Sequence, residues 1–174
     1  MKKLTLLRHA PVVTSNEGCY NGWIDIDIKD EKLVLKIDTE FDAIYSSDLK
    51  RCRQTLDALG YTNYQIDKNL REIKFKDGIE GKNFQALNPP STTLKDMESW
   101  YEYICDESVE SFRKRVEIFL KQLEGENILI CSHGGTIRMI LSLIEDKNFY
   151  RLFEKKIEYL EIISTSLSSQ KYFH

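Results

Sequence analysis

Residues 4–11 read LTLLRHAP, and residues 127–138 read NILICSHGGTIR. Each stretch is a short apolar run of β type that ends in a histidine: His9 in the first, His133 in the second. The chain holds only three histidines, so two of them fall just past predicted strand ends. Open α/β sheets place ligands at that edge. Arg8 adds a planar cation matched to a phosphate or carboxylate. Gly134 and Gly135 open a predicted helix after His133. Glycines there let backbone amides approach an anion, and a helix N-terminus favours negative charge. Two imidazoles, an arginine and a helix terminus at one sheet edge make an oxyanion pocket of the phosphate kind.

The surrounding pattern supplies the rest of the sheet. AIYSS (43–47) reads as a second strand, with Ser47 capping a helix that runs to Leu59. In that helix Leu49, Cys52, Leu56 and Leu59 keep helical spacing, and Gly60 stops it. Arg51 lies in its first turn, over the same sheet edge. YQIDKNL (64–70) reads as a third strand. Residues 10–31 form a long loop, and residues 71–92 are irregular as far as Pro89-Pro90. A helix is expected over 93–104, through Leu94, Met97, Trp100 or Tyr101, and Ile104. Phe112, Val116, Phe119, Leu120 and Leu123 mark an amphipathic helix, capped by Asp106 or Ser108 and stopped by Gly125. After the strand NILICS, Ile137, Ile140, Leu141 and Ile144 form the buried face of the next helix. A further helix is expected over 149–157 and a last strand over 159–164. Strands alternating with helices predict an α/β fold.

Composition narrows the function. The 174 residues are expected to form a single domain with a real core. A net charge of −3 leaves no basic footprint for nucleic acid. No stretch approaches the ~18–20 apolar residues of a membrane span. Lys2 and Lys3 precede Arg8 by too few residues for a signal-peptide core. Cys19, Cys52, Cys105 and Cys131 lack metal-like spacing and read as reduced thiols of a cytoplasmic protein. Cys131 and Arg138 are separated by six residues, one too many for a cysteine-phosphatase loop, so Cys131 reads as core.

Several motifs, in order, resemble the histidine phosphatase superfamily, which includes phosphoglycerate mutase and α-ribazole phosphatase. Arg8-His9-Ala10 stands where the family has Arg-His-Gly. GCYNGWIDIDI (18–28) resembles the first loop of the α-ribazole phosphatase branch. YSSDLKRCRQT (45–55), LREIKF (70–75) with IEG (79–81), DESVESFRKRV (106–116) and SHGG with Arg138 match later motifs. The resemblance covers most of residues 4–138. It implies a three-layer α/β/α fold with a mostly parallel sheet and a small helical cap, about 73–108, over the C-terminal strand ends. It implies hydrolysis of a small phosphorylated metabolite through a phosphohistidine, with neither metal nor other cofactor.

The resemblance also implies roles. His9 corresponds to the residue that is phosphorylated. Arg8, Arg51 and His133 correspond to a clamp on the phosphoryl oxygens, and Gly134 to a backbone amide that contacts them. Glu72 corresponds to the general acid. Ser15 or Asn16 lies near a phosphate-binding polar position, and the spacing leaves both open. Tyr20 and Trp23 either line a substrate mouth or pack under the first loop.

This chain also departs from the family pattern. Ala10 replaces the glycine, which would strain the backbone if the position needed φ > 0. Pro11 replaces the glutamate common in mutases. Residues 76–79 carry an extra residue and lack a tryptophan. The helix after the first loop is cut down to 29–39, so one helical layer is expected to be thin. Three other functions compete: a phosphoglycerate-type mutase, a protein phosphohistidine phosphatase, and a phosphate-binding module without catalysis.

Overall fold

The computed structural model describes residues 1–87 and 95–168. Five strands form one sheet: β1 (Lys2–Arg8), β2 (Ala43–Ser47), β3 (Gln65–Asp67), β4 (Asn127–Ser132) and β5 (Ile162–Leu167). Their order is β3-β2-β4-β1-β5. The pairings are parallel except for β5, which runs antiparallel to β1. The helices are α1 (Lys50–Ala58), α2 (Met97–Ile104), α3 (Val109–Lys121) and α4 (Gly134–Glu145).

Alternation along the central strands separates the two faces. Leu4 and Leu6 of β1 and Ile128 and Ile130 of β4 pack with Phe112, Val116 and Phe119 of α3 and with Ile137 and Ile140 of α4. Leu7, Leu129 and Cys131 point the other way, onto Cys52 and Leu56 of α1. Burying each such apolar side chain contributes about 1.5–3 kcal/mol relative to exposure. The α1 face is thin, as expected. Residues 29–42 form no helix, and Leu35, Ile37 and Phe41 cover the sheet from a segment without regular secondary structure.

The expected elements recur with shifted bounds. Ser47 is not the cap of α1. Leu49 holds that position without a side-chain bond, because Ser47 is still the last residue of β2. The third strand ends at Asp67, whose carboxylate accepts the Asn69 amide and turns the chain into a 3-10 turn over Lys68–Leu70. Asp96 caps α2 by accepting the Ser99 amide; positions 93 and 94 of that expected helix lie outside the described residues. Of the two caps offered for α3, Ser108 takes the role. The helix expected over 149–157 is a 3-10 turn, Tyr150–Glu154, entered through Asn148, which accepts the amides of Tyr150 and Arg151. The last strand starts at Ile162 because Leu160 takes φ +59, left-handed backbone that cannot continue a strand.

Candidate active site

Register brings the two histidines together. Arg8 pairs with Ser132 at the ends of parallel β1 and β4, so the next residue on each strand is a histidine. The His9 amide donates to the Ser132 carbonyl at 3.0 Å, and the two ring centroids lie 5.2 Å apart. Ser47, at the end of β2, completes the row, with its Oγ 2.9 Å from His133 Nε2.

Both imidazoles are buried, and hydrogen bonds fix their tautomers. His9 Nδ1 lies 2.8 Å from the Ala10 carbonyl, an acceptor only, so Nδ1 carries the proton and Nε2 keeps its lone pair. Among the described residues no hydrogen bond engages that Nε2. His133 is the reverse case. Arg51 Nε–H donates to its Nδ1 at 3.1 Å, so the proton of neutral His133 sits on Nε2 and faces Ser47. Burial, then the charges of Arg51 and Arg8, hold the His9 pKa well below that of free histidine. Burial and Arg51 do the same for His133. Ala10 does not take positive φ, so alanine is unstrained there; its amide donates to Thr55 Oγ1.

A cavity of about 600 Å³ opens above this edge. Arg8, His9, Glu72, Gly134 and Gly135 line its floor. Arg8 donates from Nη1 to the Ile157 carbonyl, and its guanidinium lies 4.0 Å from the centre of the Tyr159 ring. Its Nε is buried without a partner and faces the start of α4: a Cβ on Gly134 would sit 3.8 Å from it. An unpaired guanidinium N–H beside the first turn of a helix can hold an anion.

Glu72 is the carboxylate at the floor. Its oxygens accept the amides of Ile73 at 2.9 Å and Gly135 at 3.1 Å. A Cβ on Gly135 would come within 2.3 Å of Glu72 Oε1, so any larger residue would displace the Glu72 and Ile73 side chains. The other carboxylates of that region are occupied elsewhere. Asp25 accepts the Lys50 amide, Asp27 pairs with Lys50 and Gln54, and Glu80 accepts the amides of Gly22, Trp23 and Phe75.

Apart from Tyr20, the remaining expected residues fall outside the cavity lining. Arg51 is fully buried. Besides His133 it donates to the carbonyls of Asn21, Gly22 and Ile24, so it ties the first loop to the second histidine. Ser15 and Asn16 sit in a 3-10 turn, and Asn16 holds Asn21, a polar residue of that loop that does line the cavity. Tyr20 lines the cavity. Trp23 packs under Arg71 and donates to the Glu72 carbonyl. Cys131 is core: burial beside the Cys52 thiol raises its pKa well above normal, which keeps it a protonated thiol.

Two features escaped the sequence reading. Tyr159, in a run read as strand, closes the site under Arg8, 5.5 Å from the His9 ring. Arg115 donates to the carbonyls of Asn69, Arg71 and Glu72 while its Nε and Nη2 grip Glu107. Its place in a matched helix motif was the signal, but its reach across to Glu72 was not readable.

Neutral imidazoles beside a helix-terminus anion site suit the handling of phosphoryl groups. The chain belongs to the histidine phosphatase superfamily (branch 1), whose sequence model matches residues 4–172. It is 29% identical over 194 residues to "Putative phosphoserine phosphatase 2" of Hydrogenobacter thermophilus, covering 98% of this chain and 92% of that one. A phosphoserine phosphatase of Entamoeba histolytica, solved with 3-phosphoglyceric acid, superposes with a TM-score of 0.75 at 27% identity, over 94% of this chain and 90% of that one. A phosphoglycerate mutase of Thermus thermophilus superposes with a TM-score of 0.61 at 26% identity, over 82% and 84% of the two chains. These relatives set the chain among phosphatases and mutases. Among the described residues, no helix is long and apolar enough to cross a membrane.

Proposed function

We propose that the protein hydrolyses a small phosphomonoester through a phosphohistidine at His9. The observation that carries this reading is the Nδ1–H bond of His9 to the Ala10 carbonyl, which leaves a neutral Nε2 lone pair at the cavity floor beside Arg8. In the first step Nε2 attacks phosphorus, the P–O bond to the alcohol breaks, and Glu72 passes a proton to the leaving oxygen. Arg8 and the amide of Gly134 offset the charge on the transferring oxygens. In the second step Glu72 takes a proton from water, the water oxygen attacks phosphorus, and the P–N electron pair returns to His9. Inorganic phosphate leaves. Arg51 acts on His133, and His133 packs against the nucleophile. Four free thiols support a reducing, cytoplasmic setting.

The test is release of inorganic phosphate from a simple alkyl phosphate after exhaustive chelation. Stoichiometric release to water is expected, because Arg8 and the α4 terminus supply the positive charge. Transfer to an added phosphoglycerate in place of water would favour a mutase. A complete loss restored by a divalent cation would overturn the mechanism.

A further inference from the structure

Resting on the phosphatase reading, we infer that the alcohol released is apolar and ring-bearing, not a charged amino acid or hydroxy acid. The cavity floor is polar, and aromatic and aliphatic side chains dominate its walls. Tyr20 sits edge-on to Phe75 and Phe84, with ring centroids 5.2 and 4.5 Å away, and 6.2 Å from Trp100. Ile104 at the end of α2, Cys105, Phe153 and Tyr159 add to the lining.

The charges that a phosphoserine or phosphoglycerate would need are committed elsewhere. Apart from Arg8 and Glu72, three charged side chains line the cavity among the described residues: Glu17, Arg138 and Lys156. Glu17 is paired with Lys29 at 2.6 Å and Lys156 with Glu158 at 2.8 Å. Arg138 donates from Nε, Nη1 and Nη2 to the carbonyls of Leu152, Gly134 and Lys155. A substrate carboxylate or ammonium would therefore have to draw a charge away from an existing partner or lose water against aromatic rings, which is costly. A ring would gain by burial on the same walls.

Three phosphates of primary alcohols keep the broken bond comparable: ethyl phosphate, 2-phenylethyl phosphate and phosphoserine. We expect kcat/KM for the 2-phenylethyl ester to exceed that for the ethyl ester by about tenfold or more, from ring burial, with phosphoserine no better than ethyl phosphate. Trp100→Ala should raise KM for the 2-phenylethyl ester more than it lowers kcat. Equal rates on the ethyl and 2-phenylethyl esters, or a preference for phosphoserine, would overturn the inference and leave the phosphatase standing. Turnover of none of the three would overturn the phosphatase reading. Calorimetric binding of the unhydrolysable 2-phenylethylphosphonate against ethylphosphonate then decides the pocket separately: tighter binding of the ring supports the inference, and equal binding overturns it.

Discussion

Arg51 Nε donates to Nδ1 of His133 across 3.1 Å, and both side chains are fully buried. The same guanidinium holds three carbonyls of the first loop, at Asn21, Gly22 and Ile24. Arg51 therefore fixes one histidine's tautomer and the loop beside the cavity at once. Lysine cannot reproduce that planar fork. Arg51→Lys should lower kcat/KM on the order of 10²-fold, the scale for a displaced catalytic group. It should also destabilise the fold by about 1–3 kcal/mol for the acceptors left unpaired. Steady-state kinetics and urea unfolding measure the two effects. A variant with unchanged activity and stability would remove Arg51 from the site.

The two buried imidazoles also set a pH dependence. Their folded pKa values lie below the unfolded value of about 6.5. The unfolded chain thus binds protons that the native state refuses, and stability rises with pH. The stabilising contribution is complete above about pH 6.5 and is lost as pH falls toward the folded values. Each histidine adds a slope of up to about 1.4 kcal/mol per pH unit in that window. Urea midpoints at pH 7.5 and 5.5 should differ accordingly, and His133→Asn should flatten the trend. Equal midpoints for the native chain would mean that the histidines are not held neutral.

Glu72 should matter in proportion to how badly the alcohol leaves. An alkoxide needs a proton in the transition state, worth about 10²–10⁴ in rate. A nitrophenolate needs little. Glu72→Gln is expected to cripple hydrolysis of an alkyl phosphate and largely spare nitrophenyl phosphate. Gly135→Ala, whose Cβ would press on Glu72 Oε1, should show the same selectivity. Equal losses on both substrates would make Glu72 structural.

Arg115 positions Glu72 without touching the cavity. It holds the Glu72 carbonyl at 2.9 Å, backed by the Glu107 pair. Arg115→Lys keeps the charge and loses the fork, and is expected to reproduce the Glu72→Gln selectivity in weaker form, about 10-fold on the alkyl ester if the carboxylate drifts by 1 Å or less. A change in thermal stability with no shift in the alkyl-to-aryl ratio would leave Arg115 as a brace of the fold alone.

Much of the fold was legible in the sequence because local signals agreed with global ones. The short apolar runs in 4–7 and 127–132 marked the central strands. What was not legible depended on contacts far apart in the chain. Arg51 was placed over the right sheet edge, but its bond to His133 depends on how α1 sits behind β4. Tyr159 was hidden because left-handed Leu160, which donates its amide to the Arg8 carbonyl, interrupts a run that reads as strand. Asn21 replaces Ser15 and Asn16 at the cavity lining because the first loop folds back on itself through the Asn16–Asn21 bond.

The central claim is that His9 Nε2 carries the phosphoryl group. Turnover of a labelled alkyl phosphate, quenched into alkali to preserve an acid-labile P–N bond, should leave label on a single peptide that maps to His9. His9→Ala should carry none and should lose turnover. Label on Cys131, on a serine, or on His133 would contradict the account, as would full turnover by His9→Ala.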